Sequence, residues 1–189
     1  MVARADVPLT GMLGLGVTTI SDTGYGGSTR AAALDALLAY EVAPHLAIGV
    51  RFATATSTSY AASPDYGNLP GDYEQLTYSV IPIDLGVTAV FSRDAFWIAP
   101  WVGEHVSWST ATDNLGGSYP ATVTADFTML GVSVGVDLLT DDHDKLGLYA
   151  DYRHDISASR DTAGADDSNP SNPDFAGWGA LTVGIAYRR

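Results

Sequence analysis

Two patterns in this chain combine residue types and spacing that could do chemistry. The first is His105-Val106-Ser107. Side chains on an extended backbone alternate between faces, so His105 and Ser107 would stand side by side. A hydroxyl beside an imidazole, with an acid to orient the ring, is the logic of acyl transfer. The same spacing arises often by chance. The second pattern is a scatter of ionisable residues inside apolar alternating runs: Asp35, Arg51, Asp84, Glu104, Asp151 and Arg153. Gathered at one depth, carboxylates and guanidinium groups can neutralise each other through charge-assisted hydrogen bonds. The stretch DDHDK, Asp141 to Lys145, has metal-ligand residue types but reads as a solvated turn without convergent geometry. No metal and no cofactor is expected.

What would position these residues is a series of extended segments. Eight can be marked, at about 9–20, 32–42, 46–53, 76–91, 96–110, 124–138, 146–156 and 178–188. In most of them large apolar residues alternate with small or polar ones. Leu46, Ile48, Val50 and Phe52 oppose Ala47, Gly49, Arg51 and Ala53; Leu130, Val132, Val134 and Val136 oppose Gly131, Ser133, Gly135 and Asp137. Within 32–42, AAALDALLAY is rich in good helix formers, but its length is marginal and its flanks are strand-like. The connections alternate in length. Short ones fall at 43–45, 92–95 and 140–144, and long polar ones near 21–30, 57–75, 111–123 and 157–176. Short turns at one end and long loops at the other is the layout of an up-and-down membrane barrel.

Composition decides which face looks outward. The chain is 46% hydrophobic and only 16% charged, with a formal charge of −13. That acidic balance excludes nucleic acid as a partner, because phosphate binding needs a cationic surface. No window approaches the roughly 18 apolar residues of a spanning helix, which says nothing against strands. Cysteine is absent, as suits passage through an oxidising compartment without a disulfide. In a soluble lipocalin-like barrel the Leu, Val and Ile rows would fill the inside. The outside would then be Gly, Ala, Asp and Arg, a poor surface for water. The rows fit better with the apolar one facing lipid and the small, polar one facing a narrow lumen.

Register arguments place the charges. A turn at 43–45 sets Arg51 opposite Leu37 and Asp35 opposite Ala53, diagonal to Arg51. Across the third short connection Gly131 faces Arg153 and Ser133 faces Asp151. Across the second short connection, an odd-length loop would put Asp84 opposite Glu104. All six charged residues would then project into the lumen, because Arg or Lys facing lipid at mid-membrane costs about 2–4 kcal/mol. With Glu104 inside, Trp97, Ala99, Trp101 and His105 turn to lipid, unless a bulge shifts the parity.

The runs YEVAPHLAIGVRF, IPIDLGVTAVF, APWVGEH, GVSVGVDLL and GLYADYRH resemble the small eight-stranded outer-membrane barrels of Gram-negative bacteria, a group with the OmpA-type transmembrane domain, OmpX and the opacity proteins. The closing GWGALTVGIAYRR is similar to the terminal strand read by the barrel-assembly machinery, with Arg189 where an aromatic residue is usual. The resemblance implies an all-β, eight-stranded antiparallel up-and-down transmembrane barrel in the bacterial outer membrane. Its partners would be membrane lipid, lipopolysaccharide and, during biogenesis, the assembly machinery; it would be monomeric. Ala3-Arg4-Ala5 before Asp6 has the small-x-small form of a signal-peptidase site. Residues 1–8 are therefore expected to be a remnant after signal removal, and 9–189 the barrel.

The expected role is structural or surface-interacting and not enzymatic. Tyr60, Tyr66, Tyr73 and Tyr119 fall in long connections and are candidate contacts for an unspecified ligand. An alternative is a narrow gated pore, with Arg51 and Arg153 as movable elements. A remoter one is a lipid hydrolase, since His105-Val106-Ser107 resembles the His-x-Ser of lipid A deacylases, although Trp108 stands where that motif has Asn.

Overall fold

The computed structural model describes residues 9–22, 27–56, 58–62, 76–113, 122–141, 144–156, 161–163 and 178–189. Ten strand segments occur in them: β1 (Leu9–Asp22), β2 (Gly27–Ala43), β3 (Leu46–Ala55), β4 (Thr58–Ala62), β5 (Leu76–Arg93), β6 (Phe96–Asp113), β7 (Thr122–Thr140), β8 (Lys145–Asp155), β9 (Asp161–Ala163) and β10 (Trp178–Arg188). β3 and β4 both pair with β5, and β8 and β9 both pair with β7, so each couple is one wall strand in two pieces. The result is a closed, all-antiparallel, eight-stranded barrel. β1 pairs with β10, and β3 with β5, which leaves no long open edge.

The alternation in the sequence becomes an alternation of exposure. Leu15, Val50 and Ile185 are 61%, 58% and 55% exposed, whereas Asp35, Asp151 and Arg153 are each 0% exposed. Large apolar residues cover the outside, and the small and ionised ones fill the lumen. A barrel of this strand number has an interior just wide enough for side chains. Glycine and alanine therefore recur inward, and strands approach closely. A Cβ on Gly49 would come within 2.1 Å of the Leu38 carbonyl oxygen, so only glycine fits there.

Two turns decide registers. Pro44-His45 links β2 to β3, with His45 in the left-handed region at φ 69°. A bulge between Glu41 and Ala43 restores the expected register, so Leu37 pairs with Arg51 and Asp35 with Ala53. Asp94-Ala95 links β5 to β6, with Asp94 at φ 53°. This second turn has two residues, not an odd number, so Arg93 pairs with Phe96 and Asp84 with His105. The expected Asp84–Glu104 pairing is overturned. Parity along β6 is opposite to that expected: Trp97, Ala99, Trp101, His105 and Ser107 point inward and Glu104 outward.

Single polar residues interrupt the apolar outer rows. On β6 the outward row runs Phe96, Ile98, Pro100, Val102 and then Glu104; on β8 it runs Leu146, Leu148, Ala150, Tyr152 and then His154. Glu104 pairs with Thr128, one diagonal step from the Leu130–His154 pair. It also pairs with Leu85, and beyond it the outward row is apolar again: Ile81 and Trp108, paired with each other, are both exposed. At the short-turn end Tyr40, Phe91, Phe96 and Tyr187 are exposed large residues of the kind that forms an aromatic girdle.

Candidate functional site

Mid-lumen, side chains from six wall strands meet. Arg51 leaves β3 and crosses the barrel. One guanidinium nitrogen lies 2.6 Å from Asp35 Oδ1 on the neighbouring β2. Another lies 2.8 Å from Asp151 Oδ1 on β8, four strands away around the wall in either direction. The same nitrogen donates to Ser133 Oγ, which in turn donates to Asp151 over 2.9 Å. Tyr149 Oη donates to Asp35 Oδ2 over 2.7 Å. Trp101 lies under the guanidinium, 5.0 Å from ring centroid to Cζ, and its Nε1 points at Asp151 at 3.4 Å. Beside this group, Arg153 reaches Asp84 Oδ2 at 2.9 Å, and His105 Nδ1 contacts Asp84 Oδ1 at 2.5 Å. All of the charged members are at most 2% exposed.

Both backbone and glycine content make this possible. Ser133 and Asp151 are directly paired in the β7–β8 register, as are Gly131 and Arg153. Trp101 pairs with Gly131, and a Cβ there would lie 2.1 Å from the indole Nε1. The absent side chain lets the ring lie flat against the wall. Buried charges are tolerated only when paired and hydrogen-bonded, and here three carboxylates face two guanidinium groups and an imidazole. Glu104 is outside, and His105 takes its place on the lumenal face.

A second, smaller cluster lies near the short-turn mouth. Arg188 Nε donates to Asp137 Oδ1 over 3.1 Å, and a terminal nitrogen of Arg188 donates to Asp137 Oδ2. Lys145 Nζ lies 3.8 Å from the same carboxylate. Arg188 stacks over Trp97 at 5.4 Å. Asp144 accepts from Tyr187 Oη at 2.5 Å, and among the described residues no cluster could hold a metal ion.

Asp35, Arg51, Asp84, Asp151 and Arg153 are thus together in the lumen, and Glu104 is not among them. Sequence reasoning missed His105, Trp101, Ser133, Tyr149, Asp137 and Arg188 as members. Asp137 shares the small-residue row with Ser133, and Tyr149 shares one with Asp151, so the row itself was the available signal. Tyr66, Tyr73 and Tyr119 lie outside the described residues, and Tyr60 belongs to β4 rather than a loop.

His105 and Ser107 do share a face, but the lumenal one, so a catalytic pair facing lipid is ruled out. Ser107 Oγ has no hydrogen-bond partner among the described residues, and both residues are at most 2% exposed. The acid–imidazole contact exists; the contact that would activate the hydroxyl is not made.

No protein-family model matches the chain, and no curated protein matches it. Solved structures do. The attachment invasion locus protein Ail of Yersinia pestis, crystallised with the heparin analogue sucrose octasulfate, aligns with a TM-score of 0.57 at 13% identity, over 96% of this chain and 97% of that one. The outer membrane protein OprG of Pseudomonas aeruginosa aligns with a TM-score of 0.52 at 13% identity, over 97% of each chain. The fold is that of small bacterial outer-membrane barrels.

Proposed function

We propose that this protein is an outer-membrane barrel with a closed lumen, serving as a rigid anchor that holds its long connections above the bilayer for structural or surface-interaction purposes. The observation that carries this reading is Arg51, whose guanidinium spans the lumen from β3 to β8 with every charged partner buried. A lumen crossed by side chains bonded to opposite walls has no free path for ions. The long strands support the second half. β5, β6 and β7 are 18, 18 and 19 residues long. On β6 the strand continues beyond Trp108 through the polar stretch Ser109 to Asp113, which supports a wall that rises clear of the membrane. Recognition in such a protein falls to the connections at that end.

On this reading the chain works as a monomer inserted by the barrel-assembly machinery, contacts lipid and lipopolysaccharide along its apolar wall, and catalyses nothing. Reconstitution in planar bilayers tests the closed lumen. The wild type should be electrically silent, and Arg51→Ala should give measurable conductance by deleting the crossing side chain. Steady or gated currents from the wild type would replace the anchor with the narrow-pore reading.

A further inference from the structure

The outer wall carries an asymmetric feature at the short-turn end. Phe96, 67% exposed, is a ridge at the start of β6. On its β7 side lies a concavity of about 810 Å³, walled by Val134, Val136, Leu148, Val183 and Ile185. Its floor is Ala150, which pairs with Val134 on one side and Val183 on the other. Ala150 is the one small side chain among these outward neighbours, so the relief is low at its position across three strands. On the β5 side of Phe96 lies a second concavity of about 360 Å³, lined by Phe91 and Ile98 and capped by His45, Ser92 and Arg93. The Arg93 side chain is 90% exposed; among the described residues it meets Asp94 at 4.0 Å, itself 89% exposed. An exposed pair of that kind contributes little and leaves the guanidinium available.

From this geometry we infer that the short-turn rim binds one glycerophospholipid of the adjoining leaflet, astride Phe96, with an acyl chain in each concavity and its phosphate at Arg93. The inference rests on the apolar exterior facing a membrane. Both concavities are lined by apolar side chains, and the cation lies at their rim. The level is that of the exposed Phe91 and Tyr187, where headgroups meet acyl chains. Two hollows either side of one ridge match a two-chain amphiphile, and a guanidinium matches a phosphate bidentately. A second copy of the chain would need a broad flat face rather than a ridge between hollows.

The full chain, folded in mild detergent and exchanged free of co-purified lipid, can be titrated with palmitoyl-oleoyl phosphatidylglycerol and read by native mass spectrometry. A single saturable lipid is expected on the wild type. Ala150→Phe, which fills the larger hollow, and Arg93→Gln should each lower the retained fraction by about threefold or more. Ala36→Phe, the same change on the outer face of β2, should leave it unchanged. Equal retention in all four proteins, or adducts without a saturable first site, would overturn the lipid site. A dimer dissolved by Ala150→Phe would overturn it as well, by seating a second copy in the hollow. A chain that folds as a compact monomer in plain buffer would instead remove the membrane reading beneath it. Heat-modifiable gel mobility checks that each variant is a folded barrel before it is scored.

Discussion

The lumen holds two storeys built on one module. In each, an inward Trp of β6 lies against its registered glycine on β7, and an arginine stacks on the ring. Above, these are Trp101, Gly131 and Arg51; at the mouth, Trp97, Gly135 and Arg188. The storeys differ in reach. Arg51 ties β3 to the far wall through Asp151 and to its neighbour through Asp35. Among the described residues Arg188 pairs with one carboxylate, Asp137, two strands away, and that carboxylate is shared with Lys145, whose side chain is 38% exposed. The same stack therefore closes the barrel in one place and lines its entrance in the other. Stacking does not make the plug; the span across the lumen does.

The sharpest way to break the comparison is to remove each arginine. Arg51→Ala leaves Asp35 buried without its cation and Asp151 with only Arg153 at 4.0 Å, and breaking a buried pair from one side costs about 3–5 kcal/mol. Urea unfolding in lipid vesicles should record a loss of that size. If Arg188→Ala costs as much, depth and reach are not what separates the storeys. The glycines come next. Gly131→Ala and Gly135→Ala each push a Cβ into an indole, at 2.1 Å and 2.3 Å from its nearest atom. Overpacking of this kind costs about 1–3 kcal/mol, and near-ultraviolet circular dichroism should show both tryptophans displaced. Arg188→Ala should cost less than Arg51→Ala, about 1–2 kcal/mol, because Asp137 keeps Lys145 and lies near the mouth. Glu104→Leu should change stability least, by roughly 0.5 kcal/mol either way. A large loss there would mean that Glu104 has a lumenal role after all.

How far the site was legible depended on one turn. Ser133 opposite Asp151 and Gly131 opposite Arg153 followed from short-range pairing across the third short connection, and both hold. So does Asp35 beside Arg51, where the bulge at Glu41 and Ala43 compensates for a turn shorter than assumed. The failure lay at Asp94-Ala95. A change of one residue in turn length exchanges the two faces of the following strand, so Glu104 moved out and His105 in. The same parity sent Trp97 and Trp101 to lipid, and side-chain type alone does not reveal an inward niche. The niche comes from Gly131 and Gly135 on the adjacent strand, a relation visible only once the register is known.

Period-two alternation, long loops set against short turns, and scarce charge by themselves determined an all-β barrel with its apolar rows outward. Those features act locally, through the backbone's alternation of faces and the cost of ions in hydrocarbon, and each strand carries its own copy of them. Which ions meet across the lumen was decided only by closure. Tyr149 and Asp35 are 114 positions apart and share a hydrogen bond because the lumen is narrow enough for side chains from distant walls to touch. Contact across a closed wall depends on the barrel's diameter and on every register around it, and no single segment contains either.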